Sequence, residues 1–218
     1  MPCVLCAQSS TGTFCDSCAE LEYREVIRLF CRRTTSKNPV EMAQTVMAHP
    51  RFPVAGQAHH PLVAGLLVAA YRNAGGDAGE AAIDAAIQRA DTIPGGFCAG
   101  FGADAAAIAC GIAMSVIEGA TVKAEHAVAR SLAHTLTGQG MLLIANNHGN
   151  RCCKRSVFTV LELASHFFTA TMDVTIAPPR GRVECAFSTA NKLCNTADCK
   201  FYPATPPTRV EPRLAVLG

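Results

Sequence analysis

The chain has 218 residues, 50% hydrophobic and 17% charged, enough to bury one core with a small appended module and too apolar to stay disordered. A net charge of +2, 6% aromatic residues and no Trp argue against nucleic acid or an anionic membrane as the main partner. Twelve cysteines are the outlier.

The first residues lack a basic stretch followed by an apolar one, so a cytoplasmic, reducing setting is expected, where clustered cysteines serve metals or catalysis more often than disulfides. The longest apolar runs, 61–71 and 105–117, fall short of the ~20 residues that span a bilayer.

In chain order, Cys3-x2-Cys6-x8-Cys15-x2-Cys18 comes first. Each CxxC pair grips an ion from a tight turn, and four thiolates complete the tetrahedron that zinc prefers. Two unrelated surface turns are hard to sustain in so short a segment, and a redox CxxC lacks its βαβ context. A structural zinc knuckle is predicted over 1–19.

Apolar periodicity then predicts a helix over 20–33, with Cys31 as a buried small hydrophobe. Asn38 and Pro39 open a second helix, running to 49, as N-cap and first-turn residue. His59 and His60 precede a nearly all-apolar helix over 62–73. One of them can cap that helix while the other faces solvent, or the pair can serve as ligands or acid–base groups, since histidine titrates near neutrality. Asp77 is placed to cap a helix over 78–90.

Residues 94–102 hold Gly95, Gly96, Gly100 and Gly102 with Cys98 among them, ahead of a helix over 103–118. Such a loop lets backbone approach a ligand closely, and its N–H groups can receive an anion. As a dinucleotide fingerprint it fails, because the third glycine and the preceding strand are missing. Cys98 is the better ligand candidate here, and Cys110, in mid-helix, belongs to the core. Asp104 is either a dipole-stabilising acid or a site residue.

A helix over 121–137 is punctuated by Gly138 and Gly140, and 141–145 reads as a strand or a buried helix. Then comes His148-Gly149-Asn150-Arg151-Cys152-Cys153-Lys154-Arg155, ahead of a helix over 156–169. Positive charge and a helix N-terminus both stabilise thiolates, so Cys152 and Cys153 are candidate ligands or catalytic thiols. Arg151, Lys154 and Arg155, with the backbone at Gly95 and Gly96, are candidate anion-binding groups. His59, His60 and His148 are candidate proton carriers. Past 178 the chain loses periodicity and carries Cys185, Cys194 and Cys199 before a proline-rich end. Three thiolates suit zinc or an iron–sulfur cluster such as 4Fe-4S, with Cys98, Cys152 or Cys153 as the further ligand.

The fold expected is mainly α: one helical domain over 20–177 behind the zinc knuckle, with a cysteine-rich metal-binding tail over 178–218, and 174–176 and 183–185 pairing as short strands across that boundary. Two function classes follow. One is an iron–sulfur-dependent lyase or sulfur transferase acting on a small anionic molecule or sulfur donor. The other is a metal-binding adaptor or enzyme subunit, joined to a partner or to its own copy. A dithiol redox role for Cys152 and Cys153 is weak, since neighbouring residues rarely bridge without strain.

Taken together, Cys15-Asp16-Ser17-Cys18, His59-His60, Pro94-Gly95-Gly96-Phe97-Cys98, Arg151-Cys152-Cys153-Lys154-Arg155 and the motif from Cys185 through Asn191 and Lys192 to Cys194 and Cys199 resemble the domain-of-unknown-function family 5714. The resemblance implies an archaeal or anaerobic bacterial setting, with some relatives fused to S-adenosylmethionine-dependent methyltransferase domains; this chain lacks that domain, so methyl transfer is not carried over. It also implies a second loop cysteine where Asp104 stands here, a departure that counts against any ligand set using both loop positions.

Overall fold

The computed structural model describes residues 1–205. Among them the fold is mainly helical and forms a single domain without β-strands: α1 (Asp16–Ala19), α2 (Tyr23–Arg33), α3 (Pro39–Met47), α4 (His59–Asn73), α5 (Glu80–Asp91), α6 (Phe97–Gly100), α7 (Ala105–Ile117), α8 (Ala127–Asn146) and α9 (Cys153–Thr171). No helix of the described residues is long and apolar enough to cross a membrane.

Helix α4 is the axis. Every residue from His59 to Ala70 is buried, as its nearly all-apolar sequence requires, and α2, α3, α5, α7 and α9 all pack on it. Small residues set the approach distances. A Cβ at Gly65 would stand 2.8 Å from Ile87 and 3.3 Å from the Cys31 sulfur. Cys31 and Cys110 are fully buried in the core.

The differences from the sequence reading have local causes. Helix α8 runs unbroken through Gly138 and Gly140. A mid-helix glycine costs ~1 kcal/mol against alanine, but Gly140 lets α8 approach α7, where a Cβ would lie 3.2 Å from Ala107. Helix α4 starts at His59 and α9 at Cys153, each three residues earlier than periodicity placed them. The N-cap of α5 is Gly79, not Asp77. Asn38 caps α3 as expected, its Oδ1 accepting the N–H groups of Val40 and Glu41 at 3.1 Å.

The expected strands at 174–176 and 183–185 do not form, because their backbone groups find other partners. The Ile176 N–H donates to the Thr169 hydroxyl at 3.2 Å, and the Cys185 N–H donates to the Phe201 carbonyl at 2.7 Å. Ile176, Val183 and Phe201 are buried, and Phe201 packs edge-on against Phe158 of α9. These anchors seat the tail over the start of α9. The proline-rich end beyond 205 lies outside the described residues.

Candidate metal centres and the pocket between them

The N-terminal turn brings the Sγ atoms of Cys3, Cys6, Cys15 and Cys18 within 4.8 Å of one another. A tetrahedral ion with Zn–S bonds of about 2.3 Å holds its sulfurs about 3.8 Å apart, and the Cys6 and Cys15 sulfurs are 3.5 Å apart. Ser17 Oγ lies 3.3 Å from the Cys15 sulfur. Burial disfavours a thiolate at Cys3, yet N–H groups aimed at its sulfur outweigh this and draw its pKa down to about 6. Burial, reinforced by the neighbouring sulfurs, pushes Cys18 the other way. The quartet can therefore bind a metal such as zinc, which lets all four sulfurs become thiolates together.

His49 ties this turn to the core. Its Nδ1 accepts the Arg51 N–H at 3.2 Å, so Nε2 carries the proton and donates to the Cys18 carbonyl at 2.8 Å. The ring also stands edge-on to Phe14.

At the N-terminal end of α4, five helix ends meet around a pocket of about 340 Å³ lined by His59, His60, Cys98, His148, Arg151, Cys152 and Cys153, among others. Both adjacent histidines are pinned through Nδ1, which donates to the Gly56 carbonyl from His59 and to the Ile93 carbonyl from His60, each at 3.1 Å. That fixes the tautomer and leaves each Nε2 with a free lone pair. His59 is 1% exposed, and its Nε2 has no partner among the described residues. Burial, with the nearby Lys154 charge, pushes its pKa down to about 3, and burial lowers that of His60 as well.

The adjacent cysteines part company. The backbone is extended at Cys152 (φ −145°, ψ 100°), the N-cap of α9, and helical from Cys153 onward, so the two side chains leave in different directions. The Cys153 sulfur accepts the Gly56 N–H at 3.4 Å, from the same residue that fixes His59. Burial raises the pKa of Cys98, with the Asp104 carboxylate and the Cys153 sulfur adding to it.

Cys152 also lines a second cavity, of about 20 Å³, together with Cys185, Cys194 and Cys199. Its sulfur accepts from Asn191 Nδ2 at 3.4 Å. Cys194 accepts the Thr196 N–H at 3.4 Å, and Cys185 accepts the Phe187 N–H. Both are bonds from two residues ahead, as in the N-terminal turn, where Cys3 accepts from Leu5 and Cys6 from Gln8. Such N–H···S bonds prepare a sulfur to carry negative charge. Burial pushes Cys185 up to about 11. Among the described residues, only the N-terminal quartet gathers three or more ligand atoms within 4.8 Å. The tail cysteines and Cys152 share a cavity at wider spacing.

The remaining candidates take distinct places. Gly95 and Gly96 are exposed and outside the pocket lining. Lys154 is 3% exposed; its ammonium donates to the Val54 carbonyl at 2.6 Å and stands 5.1 Å from the Phe187 ring centre, pinning the loop before α4. Arg155 donates to the Asn150 carbonyl at 2.7 Å and borders both cavities. Asp104 caps α7, with Oδ1 accepting from Ala106 and Oδ2 from the Ser156 hydroxyl.

Two residues escaped the sequence reading. Gly56 (φ +119°) joins Cys153 to His59. Asn195 accepts the Asn150 N–H at 3.0 Å and fills the space where a side chain at Gly149 would stand. Neither has a spacing or neighbour that marks it in sequence.

Comparison with known proteins gives a family match over residues 27–202, described as a family of unknown function (DUF5714). No curated protein and no solved structure matches.

Proposed function

The chain belongs to the DUF5714 family, whose match runs from α2 through the tail cysteines, and from that premise we propose that it is a cytoplasmic metalloenzyme with two thiolate centres. Cys3, Cys6, Cys15 and Cys18 hold a structural zinc. Cys152, Cys185, Cys194 and Cys199 hold an iron–sulfur cluster, beside a pocket that takes a small anionic or sulfur-bearing substrate. The carrying observation is that Cys152, at the edge of the pocket it shares with Cys153, also lines the cavity of Cys185, Cys194 and Cys199, which Cys153 does not reach.

The donor set supports a metal in the tail cavity: four sulfurs line it, and three of them accept N–H groups. The wider spacing favours a cluster over one ion, because each cysteine of a cluster binds a different iron. Four available sulfurs leave no iron open to act as a Lewis acid, so the lyase chemistry anticipated for a three-cysteine cluster is the weaker option. Sulfur handling by groups in the pocket is the stronger one. There Arg151 supplies positive charge for an anion, while His60 and His148, at the same pocket, are the groups placed to move a proton.

A second reading has its own support. The shared N–H···S turns also suit a second zinc, which would make the chain an adaptor or a subunit of a larger enzyme. Anaerobic purification followed by iron, acid-labile sulfide and zinc analysis decides between them. A brown protein with one zinc plus iron and sulfide is expected. A colourless protein with two zinc ions and no sulfide would replace the enzyme reading with the adaptor.

A further inference from the structure

The pocket at the start of α4 carries opposite charges that do not neutralise each other. Asp104 lines it and spends Oδ1 on the Ala106 N–H and Oδ2 on the Ser156 hydroxyl. Neither partner is charged, and each carboxylate oxygen keeps a lone pair. Arg151 and Arg155 line the same pocket. Among the described residues Asp104 pairs with no cation, and neither arginine pairs with a carboxylate. Such groups bind each other directly when they come within reach; these share a cavity of about 340 Å³ without touching. The Cys98 thiol feels both: burial raises its pKa most, the Asp104 carboxylate raises it further, and Arg151 pulls it back. A separate observation concerns hydrogen bonding. His59 borders the same pocket at 1% exposure, and its Nε2 has no partner among the described residues. Its Nδ1–H goes to the Gly56 carbonyl, so Nε2 can only accept. Held neutral, His59 takes no part in the proton steps given to His60 and His148. A ligand N–H would satisfy it; a bare anion would not.

We infer that the substrate is a zwitterion, a short α-amino acid whose ammonium goes to Asp104 and whose carboxylate goes to Arg151, with its side chain toward Cys98. This deepens the proposed function and rests on its assignment of a sulfur-bearing substrate to this pocket. It replaces a plain anion with a molecule of no net charge. Arg151 is the residue for the carboxylate because it lines this pocket and not the tail cavity, whereas Arg155 borders both and is tied to the Asn150 carbonyl. A guanidinium fork takes both oxygens of a carboxylate, and the three N–H donors of an ammonium suit the lone pairs left on Asp104. Each end of the ligand makes a charged hydrogen bond, so removing either end should weaken binding about 10- to 100-fold.

Isothermal titration calorimetry of the full chain, purified anaerobically, tests this with three probes. S-methyl-L-cysteine is the zwitterion, methylthiopropanoate lacks its ammonium, and methylthioethylamine lacks its carboxylate. None has a thiol to chelate metal or exchange with protein sulfurs. The zwitterion should bind about 10- to 100-fold more tightly than either truncated probe. Asp104→Asn keeps an oxygen to cap α7; it should weaken the zwitterion by a similar factor and leave methylthiopropanoate unchanged, a split that a merely structural role does not give. Should that variant lose its helical circular dichroism signal, the ranking of the three probes on wild type decides alone. Equal affinity for the zwitterion and methylthiopropanoate would overturn the inference and leave the anionic-substrate reading standing. A folded Asp104→Asn chain that binds the zwitterion as wild type does would also overturn it. Binding of none of the probes would overturn both the inference and the assignment of substrate to this pocket.

Discussion

His59 shows what one buried ring imposes on the molecule. Its pKa is pushed down to about 3 from 6.5, first by burial and then by Lys154. Between those values the unfolded chain binds a proton that the folded chain refuses, so stability rises with pH across that window and is lost as pH falls through it. The difference in denaturant midpoint between wild type and His59→Gln should therefore shrink as pH drops below 6.5. Parallel curves would show that His59 titrates alike in the folded and unfolded chain, against a depressed pKa. The sequence marked this residue as a candidate but could not show that a carbonyl three residues earlier holds its ring. That hydrogen bond depends on the path of the loop from Pro53 to Gln57, which Lys154 pins from a hundred residues away.

Among the elements, α7 and α8 depend on close approach. A Cβ at Gly111 would overlap the Thr137 hydroxyl and stand 3.0 Å from the Ala133 carbonyl. Gly111→Ala should cost about 1–3 kcal/mol as overpacking, read as a lower thermal midpoint. A variant as stable as wild type would mean the pair can separate freely. Helix existence was legible from periodicity and from the Asn38–Pro39 start, because those signals are local. The continuity of α8 was not. Gly138 and Gly140 read as punctuation, and only the facing Ala107 gives Gly140 its reason. The first turns of α4 and α9 were missed for a related cause: the sequence there reads as site residues, and the structure uses them as helix as well.

At the scale of the whole molecule, the N-terminal cysteine cluster was fully legible, since its four cysteines lie within 16 residues and their spacing is itself the geometry. The proposed tail centre was legible only as an inventory. Three cysteines needed a fourth, with Cys98, Cys152 and Cys153 as the candidates, and the choice depends on how the tail crosses α9. Phe201 against Phe158 and the Cys185–Phe201 hydrogen bond seat it over Cys152. Two neighbouring thiols thereby acquire different surroundings: Cys152 borders both the tail cysteines and the pocket, and Cys153 borders the pocket alone.

That division of labour is best tested by Cys152→Ser and Cys153→Ser, purified anaerobically side by side with wild type and assayed for iron, sulfide and zinc. Cys152→Ser should lose the iron and sulfide of the tail centre and keep the knuckle zinc, while Cys153→Ser should keep the tail centre's iron and sulfide in full. Equal loss of iron and sulfide from both variants, or from neither, would contradict the account.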